Sequence, residues 1–347
     1  MVSPHHNQVD TSGPCAASGR FTVSLLNCRG LGSKDPDTIF SLFVSTCDVF
    51  VLTETKLDSH SKLACPDGFE AFSKPAVRLR GGRGISGGIA IFHRMAAHRT
   101  ACQWRIRPNC LWIRLDGVLS NGPLFLCAVY LPPGDHNRHF DQTFWSTFES
   151  DVSDASRLGT ALVLGDFNAR IGCHLDADPA AYDPTFLESS SGIPGASSLL
   201  PPRMSCDKMS NSRMEPFLSC LQASALVVAN GRVAGNSGMV PTSRGNGDDG
   251  LSVVDYLLVP VALLSSISSL HVEVVDTALS DHNALHAVLE GPALVGGPMV
   301  SFVSSESIPL DSVASGSRVH YRLPRDGVGW SRLSLATGLL FYLYLKT

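Results

Sequence analysis

Ten cysteines are spread through the chain, yet no two of them form a CxxC pair, which excludes a zinc ribbon and a thioredoxin-like redox site. Cys28, Cys47, Cys127 and Cys220 lie in or beside apolar runs, as small buried thiols of a reducing compartment do. Charge is sparse as well. Charged residues make up 17% of the chain and the formal net charge is −4, so no overall positive field draws it to a polyanion and any grip on phosphate has to be local. No repeat of fixed period is visible, which removes solenoids and propellers. The opening MVSPHHNQVDTSG has no apolar signal-peptide core. An intracellular location, nucleus or cytoplasm, is therefore expected rather than secretion. The apolar LSLATGLLFYLYLK near the other end falls short of the roughly 20 residues that cross a bilayer, so no membrane span is expected.

What the chain does have is core. Its 347 residues are 44% hydrophobic, enough to bury one large domain. FTVSLLN (21–27) and DVFVLTET (48–55) read as strands flanking a helix over about 37–46. SGGIAIFHR (86–94), CLWIRLD (110–116) and GPLFLCAVYL (122–131) then follow as strands in close succession, which implies antiparallel pairing. Aromatics at 140, 144, 145 and 148 put one apolar stripe on a helix over 140–155, and TALVLGD (160–166) reads as a central strand. A second helix at 214–224 and strands at 225–232 and 252–260 come next. The final pair lies in HVEVVDTALSDHNALHAVLEG. Many strands with two or three covering helices give an α+β fold of two packed, mostly antiparallel sheets with helices outside, a four-layer α/β-sandwich. Residues 1–20 read as a leading segment, 21–290 as the domain and 291–347 as an unmatched tail. Loops are expected at 186–212 and 235–250.

The polar residues at the ends of the apolar runs carry the chemistry. Glu54, closing VLTE, is a strand-end acid suited to an oxygen ligand of Mg²⁺, which needs few protein carboxylates. Asp166 and Asn168 in LGDFNAR point to one side if the backbone is extended, so Asp166 can take a proton from water while Asn168 donates to a phosphoryl oxygen. His282 in SDH would offer hydrogen bonds to growing charge, with Asp255 orienting its ring and Asp281 either on the metal side of the site or orienting a base. Asn27 and Tyr130 stand at two further strand ends, where an amide and a phenol can meet phosphate. Taken singly, each is as well explained by a turn or a solvated strand end. Arg78, Arg80 and Arg83 in RLRGGRG are the local positive candidate for holding substrate, although arginines among glycines are more often a solvated loop.

LLNCRG, VLTETK, SGGIAIF, AVYLPP, LVLGDFNARIG, VVDYLL and LSDHNAL stand in one order across residues 21–290. In that order they resemble the motifs of the endonuclease/exonuclease/phosphatase superfamily, which includes apurinic endonucleases and DNase I-like enzymes. The stretch SCDKMSNSRMEPFLSCLQASALVVANGR, with GMVPTSRG after it, further resembles the endonuclease domain of non-LTR (LINE-like) retrotransposons. The resemblance implies a DNase I-like sandwich and an Mg²⁺-dependent (alternatively Mn²⁺-dependent) DNA endonuclease leaving 3′-hydroxyl and 5′-phosphate ends. It makes Asn27 and Glu54 metal-side residues, with Asp281 a further acid of the site, and Tyr130 and Asn168 phosphate contacts. Asp166 becomes the water-activating residue, and Asp255 and His282 the oriented pair. Arg29 stands where apurinic endonucleases commonly carry an aspartate, and Ser243 where an aromatic is usual. A phosphomonoesterase of the same superfamily, or an inactive relic, remains the alternative. One versus two metals, and the oligomeric state, stay open.

Overall fold

The structure, a computed structural model, describes residues 19–32, 34–78, 84–134, 143–177, 200–245, 250–291 and 294. These residues belong to one unit that ends at Pro298. The leading segment to residue 18, Arg80, Arg83, Phe140 of the expected helix stripe, residues 178–199 and the tail from 295 lie outside the described residues.

In chain order the elements are β1 (Gly19–Asn27), α1 (Pro36–Phe40), β2 (Val49–Thr53), β3 (Phe69–Lys74), β4 (Val77–Arg78), β5 (Ile85–Ser86), β6 (Ile89–Arg94), β7 (Thr100–Ile106), β8 (Cys110–Leu119) and β9 (Gly122–Tyr130). Then come α2 (Phe144–Leu158), β10 (Thr160–Asp166), α3 (Met214–Ala223), β11 (Leu226–Val228), β12 (Ser243–Arg244), β13 (Leu251–Ser252), β14 (Asp255–Pro260), α4 (Val261–Leu264), β15 (Ile267–Glu273) and β16 (Ala284–Gly291). Two six-stranded sheets result, in the orders β15-β16-β1-β2-β6-β3 and β11-β14-β10-β9-β8-β7. Each sheet contains one parallel pair near its middle, β1 with β2 and β9 with β10, and all its other pairings are antiparallel. A helix lies in the connection between the members of each parallel pair, α1 in one and α2 in the other, as a parallel crossover requires.

Both faces of each sheet are covered, which explains the near-continuous apolar runs in the central strands. Between the sheets, Val23, Leu25, Val51 and Ile91 meet Leu111, Leu126, Leu164 and Leu257. On the outer face of the second sheet, Phe144, Phe148, Val152 and Ala155 of α2 pack with Phe217 and Leu221 of α3 over Trp112, Phe125 and Cys127. The stripe on α2 is core, as its spacing suggests. Outside the first sheet, Ile39, Phe40 and Phe43 cover Phe50 and Phe92. These layers form the DNase I-like α/β sandwich expected from the sequence.

Three details differ from the sequence reading. The helix expected over 37–46 stops at Phe40, and the chain continues in turns that still bury Phe43 and Cys47. The apolar run at 252–260 serves two sheets: Leu251 and Ser252 pair with Arg244 and Ser243, whereas Asp255 starts a strand of the second large sheet. Strands β3 and β7, at the edges of their sheets, have no continuous apolar run to show them in the sequence.

Candidate active site

Strand direction assembles the site. Because β1 and β2 are parallel, both end at the same edge, with Asn27 level with Thr53 and Glu54 next in the chain. In the other sheet β9 and β10 end together, with Tyr130 level with Asp166. Antiparallel β14 begins there, with Asp255 opposite Asp166. The LGD sequence has a steric cause at this point, since a Cβ on Gly165 would lie 2.2 Å from Val129 O.

Asp166 is fully buried and held by amides. Its Oδ2 accepts from Asn27 Nδ2 at 2.9 Å and from Asn168 Nδ2 at 3.1 Å, and its Oδ1 accepts from the Asn168 backbone N–H at 2.9 Å. The other hydrogen of the Asn168 amide goes to Leu131 O at 2.8 Å. Asn168 therefore fixes Asp166 and has no side-chain hydrogen left for the phosphoryl oxygen that the sequence reading gave it. Across the strand pair, His282 Nδ1 lies 2.8 Å from Asp255 Oδ2, and a carboxylate partner makes that nitrogen the N–H donor. Among the described residues, His282 Nε2 has no hydrogen-bond partner, and Asp255 Oδ1 is buried without one. Ser280 Oγ joins the halves, accepting from His282 N at 2.9 Å and donating to Asn27 O at 2.6 Å.

Glu54 accepts from the Tyr130 hydroxyl at 2.9 Å, and its second oxygen lies 3.7 Å from Lys56 Nζ. The turn around it is strained. Among the described residues five non-glycines have positive φ, and four of them are Arg29 (50°), Glu54 (54°), Lys56 (54°) and Asn168 (47°). Each costs about 1 kcal/mol, a load that clusters at functional sites. The backbone of Gly87 and Gly88 braces this turn by accepting from Lys56 N and Thr55 N.

The charges follow from this packing. Burial, then the neighbouring charge of Asp255, pushes the Asp166 carboxyl up to about 7. Burial works against a charged His282, but the charge and hydrogen bond of Asp255, with Asp166 and Asp281 beyond, outweigh it and raise the imidazole to about 10. Burial, then the charge of Glu54, holds the Tyr130 phenol above its ordinary range, so it remains a donor. The site thus presents an imidazolium, a neutral phenol and a carboxyl that titrates near neutrality, the combination suited to moving a proton beside a phosphate.

Two sets of side chains could hold a cation. One ligand atom from each of Asp166, Asp255 and His282 lies within 4.8 Å of the others, although His282 Nδ1 is already bonded to Asp255. Glu54 and Asn27 offer hard oxygens of the type divalent Mg²⁺ takes, and Asn27 Oδ1 meets only the Arg29 N–H at 3.0 Å among the described residues. Asp281, expected with them, has another partner. Arg29, turned into the left-handed region, brings Nη1 to 3.2 Å from Asp281 Oδ2. Arg78, expected to grip substrate, has its guanidinium on Asp58, with Nε 2.7 Å from Oδ2, so its charge is already countered.

Residues 25–282 match the family model described as the endonuclease/exonuclease/phosphatase family. The chain belongs to that family. Solved structures of an exonuclease and of an AP endonuclease share the fold of this family member. A 3′-5′ exonuclease (NExo) from Neisseria meningitidis is 19% identical, with a TM-score of 0.52 over 77% of this chain and 98% of that one. The AP endonuclease LMAP from Leishmania major is 14% identical, with a TM-score of 0.56 over 79% and 89%. The endonuclease domain of TRAS1, a telomere-specific non-LTR retrotransposon, is 15% identical with a TM-score of 0.48 over 78% and 98%. No curated protein matches the chain. Among the described residues, no helix is long and apolar enough to cross a membrane.

Sequence reading missed the braces of this family member's site. Arg213, buried at the start of α3, donates to Phe167 O at 3.2 Å, Pro132 O at 2.5 Å and Gly134 O at 3.2 Å, tying the GDFN turn to the loop after Tyr130. Asn211 Nδ2 donates to Asn168 O at 2.9 Å. Asn230 bonds both Asp255 O and Leu257 N, and Thr242 Oγ1 accepts from Asp255 N. Their bonds run mainly to main-chain atoms, which leave no pattern in side-chain order.

Proposed function

We propose that this family member is a divalent-metal-dependent phosphodiesterase, a DNA endonuclease of the retroelement type that leaves 3′-hydroxyl and 5′-phosphate ends. The observation that carries this reading is the pairing of two unlike centres across β10 and β14: a buried, amide-held Asp166 and the His282–Asp255 pair. Near neutrality Asp166 divides between the two protonation states and can accept the proton of an attacking water. The Nε2–H of His282 is free to donate to a phosphoryl oxygen, and the imidazolium charge grows more favourable as negative charge develops there. Asn27 holds Asp166 with one amide hydrogen and keeps the other for substrate. Asn168 is a positioning residue, while Tyr130 fixes the rotamer of Glu54.

The carboxylate of Glu54 with the amide oxygen of Asn27 would hold Mg²⁺, which supplies charge neutralisation for the phosphate oxygens when bound. The oxygen donors fit a hard cation, and Asp255 Oδ1 is an additional buried acceptor lacking a partner. Membership of the family, whose description includes both nucleases and phosphatases, supports hydrolysis of a phosphate ester.

The test sets supercoiled DNA, an abasic duplex and small phosphomonoesters side by side with Mg²⁺. Nicking with religatable 3′-hydroxyl and 5′-phosphate ends is expected. Turnover of monoesters alone would make the protein a phosphomonoesterase. His282→Ala and Asn168→Ala are expected to abolish nicking with far-UV circular dichroism unchanged, and nicking retained in either would defeat the assignment.

A further inference from the structure

Residues 274–283, which join β15 to β16 and carry Ser280, Asp281 and His282, belong to neither large sheet. Among the described residues their ladder contact is an isolated bridge of His282 to Ser243 in β12. A turn closes inside the segment, where Leu279 N and Ser280 N donate to Asp276 O at 2.8 and 3.0 Å. The carbonyls of Val275, Leu279, Ser280 and Asp281 have to find donors elsewhere, and a segment with so few ladder bonds has little of its own to fix it.

Two basic residues take those carbonyls. Arg244, half-buried at the end of β12, donates through Nη2 to Val275 O at 2.5 Å and to Ser280 O at 3.0 Å, and its backbone N–H donates to Asp281 O at 2.7 Å. Lys34, just before α1, donates through Nζ to Leu279 O and to Cys28 O. Among the described residues neither has a carboxylate within salt-bridge distance, so both charges are directed at main-chain oxygens, where a charged donor makes the stronger bond.

The two anchors lead to different halves of the site. Residues 242–244 hold both members of the His282–Asp255 pair: Thr242 Oγ1 accepts from Asp255 N at 3.1 Å, Thr242 O accepts from Asn283 N at 2.8 Å, and Arg244 grips the stretch just before His282. Lys34 ties the same stretch to Cys28, next to Asn27, alongside the bond from Ser280 Oγ to Asn27 O. Neither basic side chain bonds to Asp166, Asp255 or His282, so its effect on them passes through the main chain.

We propose that Arg244 and Lys34 are positioning residues for His282, Arg244 setting its place against Asp255 and Lys34 its place against Asn27 and Asp166. The inference rests on the phosphodiesterase reading, in which the Nε2–H of His282 meets a phosphoryl oxygen. It deepens that reading by naming what keeps this donor and Asp166 at a fixed separation. A misplacement of about 1 Å between such groups costs about 10²-fold in rate.

The experiment compares full-chain wild type with Arg244→Met, Arg244→Lys, Lys34→Met and Lys34→Arg, the folded fraction of each taken from denaturant curves. In EDTA, the hydrogen-bonded Nδ1–H proton of His282 is followed as a downfield proton NMR signal, assigned by its absence in Asp255→Asn. Arg244→Met should lose this signal while the rest of the spectrum stays native, Arg244→Lys should recover part of it, and Lys34→Met should keep it. With Mg²⁺ and supercoiled DNA, both Met variants should lower kcat by about 10²-fold per folded molecule with KM near the wild-type value. Lys34→Arg should restore most of that loss. A wild-type signal in Arg244→Met together with wild-type kcat per folded molecule overturns the assignment of Arg244, and wild-type kcat in Lys34→Met overturns that of Lys34. Were Arg244→Met not to fold, Arg244→Lys, which keeps the charge but has a single donor nitrogen and a shorter reach, carries the same comparison. Loss of the signal in Arg244→Met beside a wild type that nicks no DNA upholds the positioning of His282 and defeats the endonuclease reading instead.

Discussion

Asp166 and Asp255 stand directly opposite each other in the β10–β14 pair, and both carboxylates are buried. Burial and the neighbouring charge of Asp255 both oppose the ionisation of Asp166. Asp166 is left with its proton up to about pH 7, well above the ordinary carboxylate value of 3.8.

This has a stability consequence with a definite sign. A group whose folded pKa is raised stabilises the fold when protonated, and that contribution is lost as pH rises through the folded value. For Asp166 the loss falls between about 3.8 and about 7. Asp166→Asn, which cannot ionise, is expected to gain on wild type across that window, reaching a few kcal/mol above neutrality. Denaturant unfolding in EDTA from pH 4 to 8 measures it, and a difference that stays constant with pH would refute the buried-acid account. The His282 imidazolium acts in the same direction higher up, its contribution being complete below about 6.5 and lost through about 10.

Asp255→Asn removes the anion that keeps His282 charged. Burial then acts unopposed by its nearest partner, and the imidazole midpoint should fall far below 10. Nitrogen-resolved NMR titration of the histidine reads this directly, while nicking should slow by about 10²–10⁴. A midpoint that does not move would show that Asp255 is not the orienting partner.

The central strands are legible in the sequence because both their faces are buried, so the apolar runs and the polar residues ending them stand out together. Asn27, Glu54, Tyr130, Asp166, Asp255 and His282 are visible for that reason. Edge strands are another matter. β3 reads FEAFSK and β7 reads TACQWRI, each with one half-covered face and no strong period. The turns after Phe40 keep a helical spacing of buried residues, yet their hydrogen bonds mix three- and four-residue steps, as in Phe43 N to Phe40 O and Cys47 N to Phe43 O. Nor does residue type reveal how a side chain spends its hydrogens. The amide of Asn168 suits a phosphate contact on paper, but Leu131 O and Asp166 consume both of its donors.

The Arg29–Asp281 pair bears on cation binding. Both side chains are substantially exposed, 57% and 38%, so Arg29→Ala should change stability by less than about 1 kcal/mol. Its effect belongs to charge instead. Removing the guanidinium uncovers Asp281 and takes a positive charge from beside Asn27, whose oxygen accepts from the Arg29 N–H. Mn²⁺ should therefore bind several-fold more tightly to Arg29→Ala, as read by calorimetry or by the free-ion EPR signal. Equal affinity in the two proteins would detach Asp281 from the cation centre.

Arg213 tests whether the braces matter as much as the groups they hold. Its guanidinium donates to three main-chain carbonyls, Phe167, Pro132 and Gly134, on the two loops that flank Asn168 and Tyr130. Arg213→Met keeps most of the volume but leaves those carbonyls without their donor, at a cost of about 3 kcal/mol in guanidinium denaturation. Asn168 is then positioned less tightly, and Asp166 loses the fixed orientation that its two amide partners impose. Nicking should drop more steeply than the folded fraction does, and Arg213→Lys, which restores one donor group, should recover part of both. If Arg213→Met lowers stability while specific activity per folded molecule stays at the wild-type level, then Asn27 alone suffices to hold Asp166 and the loop brace has no part in the chemistry.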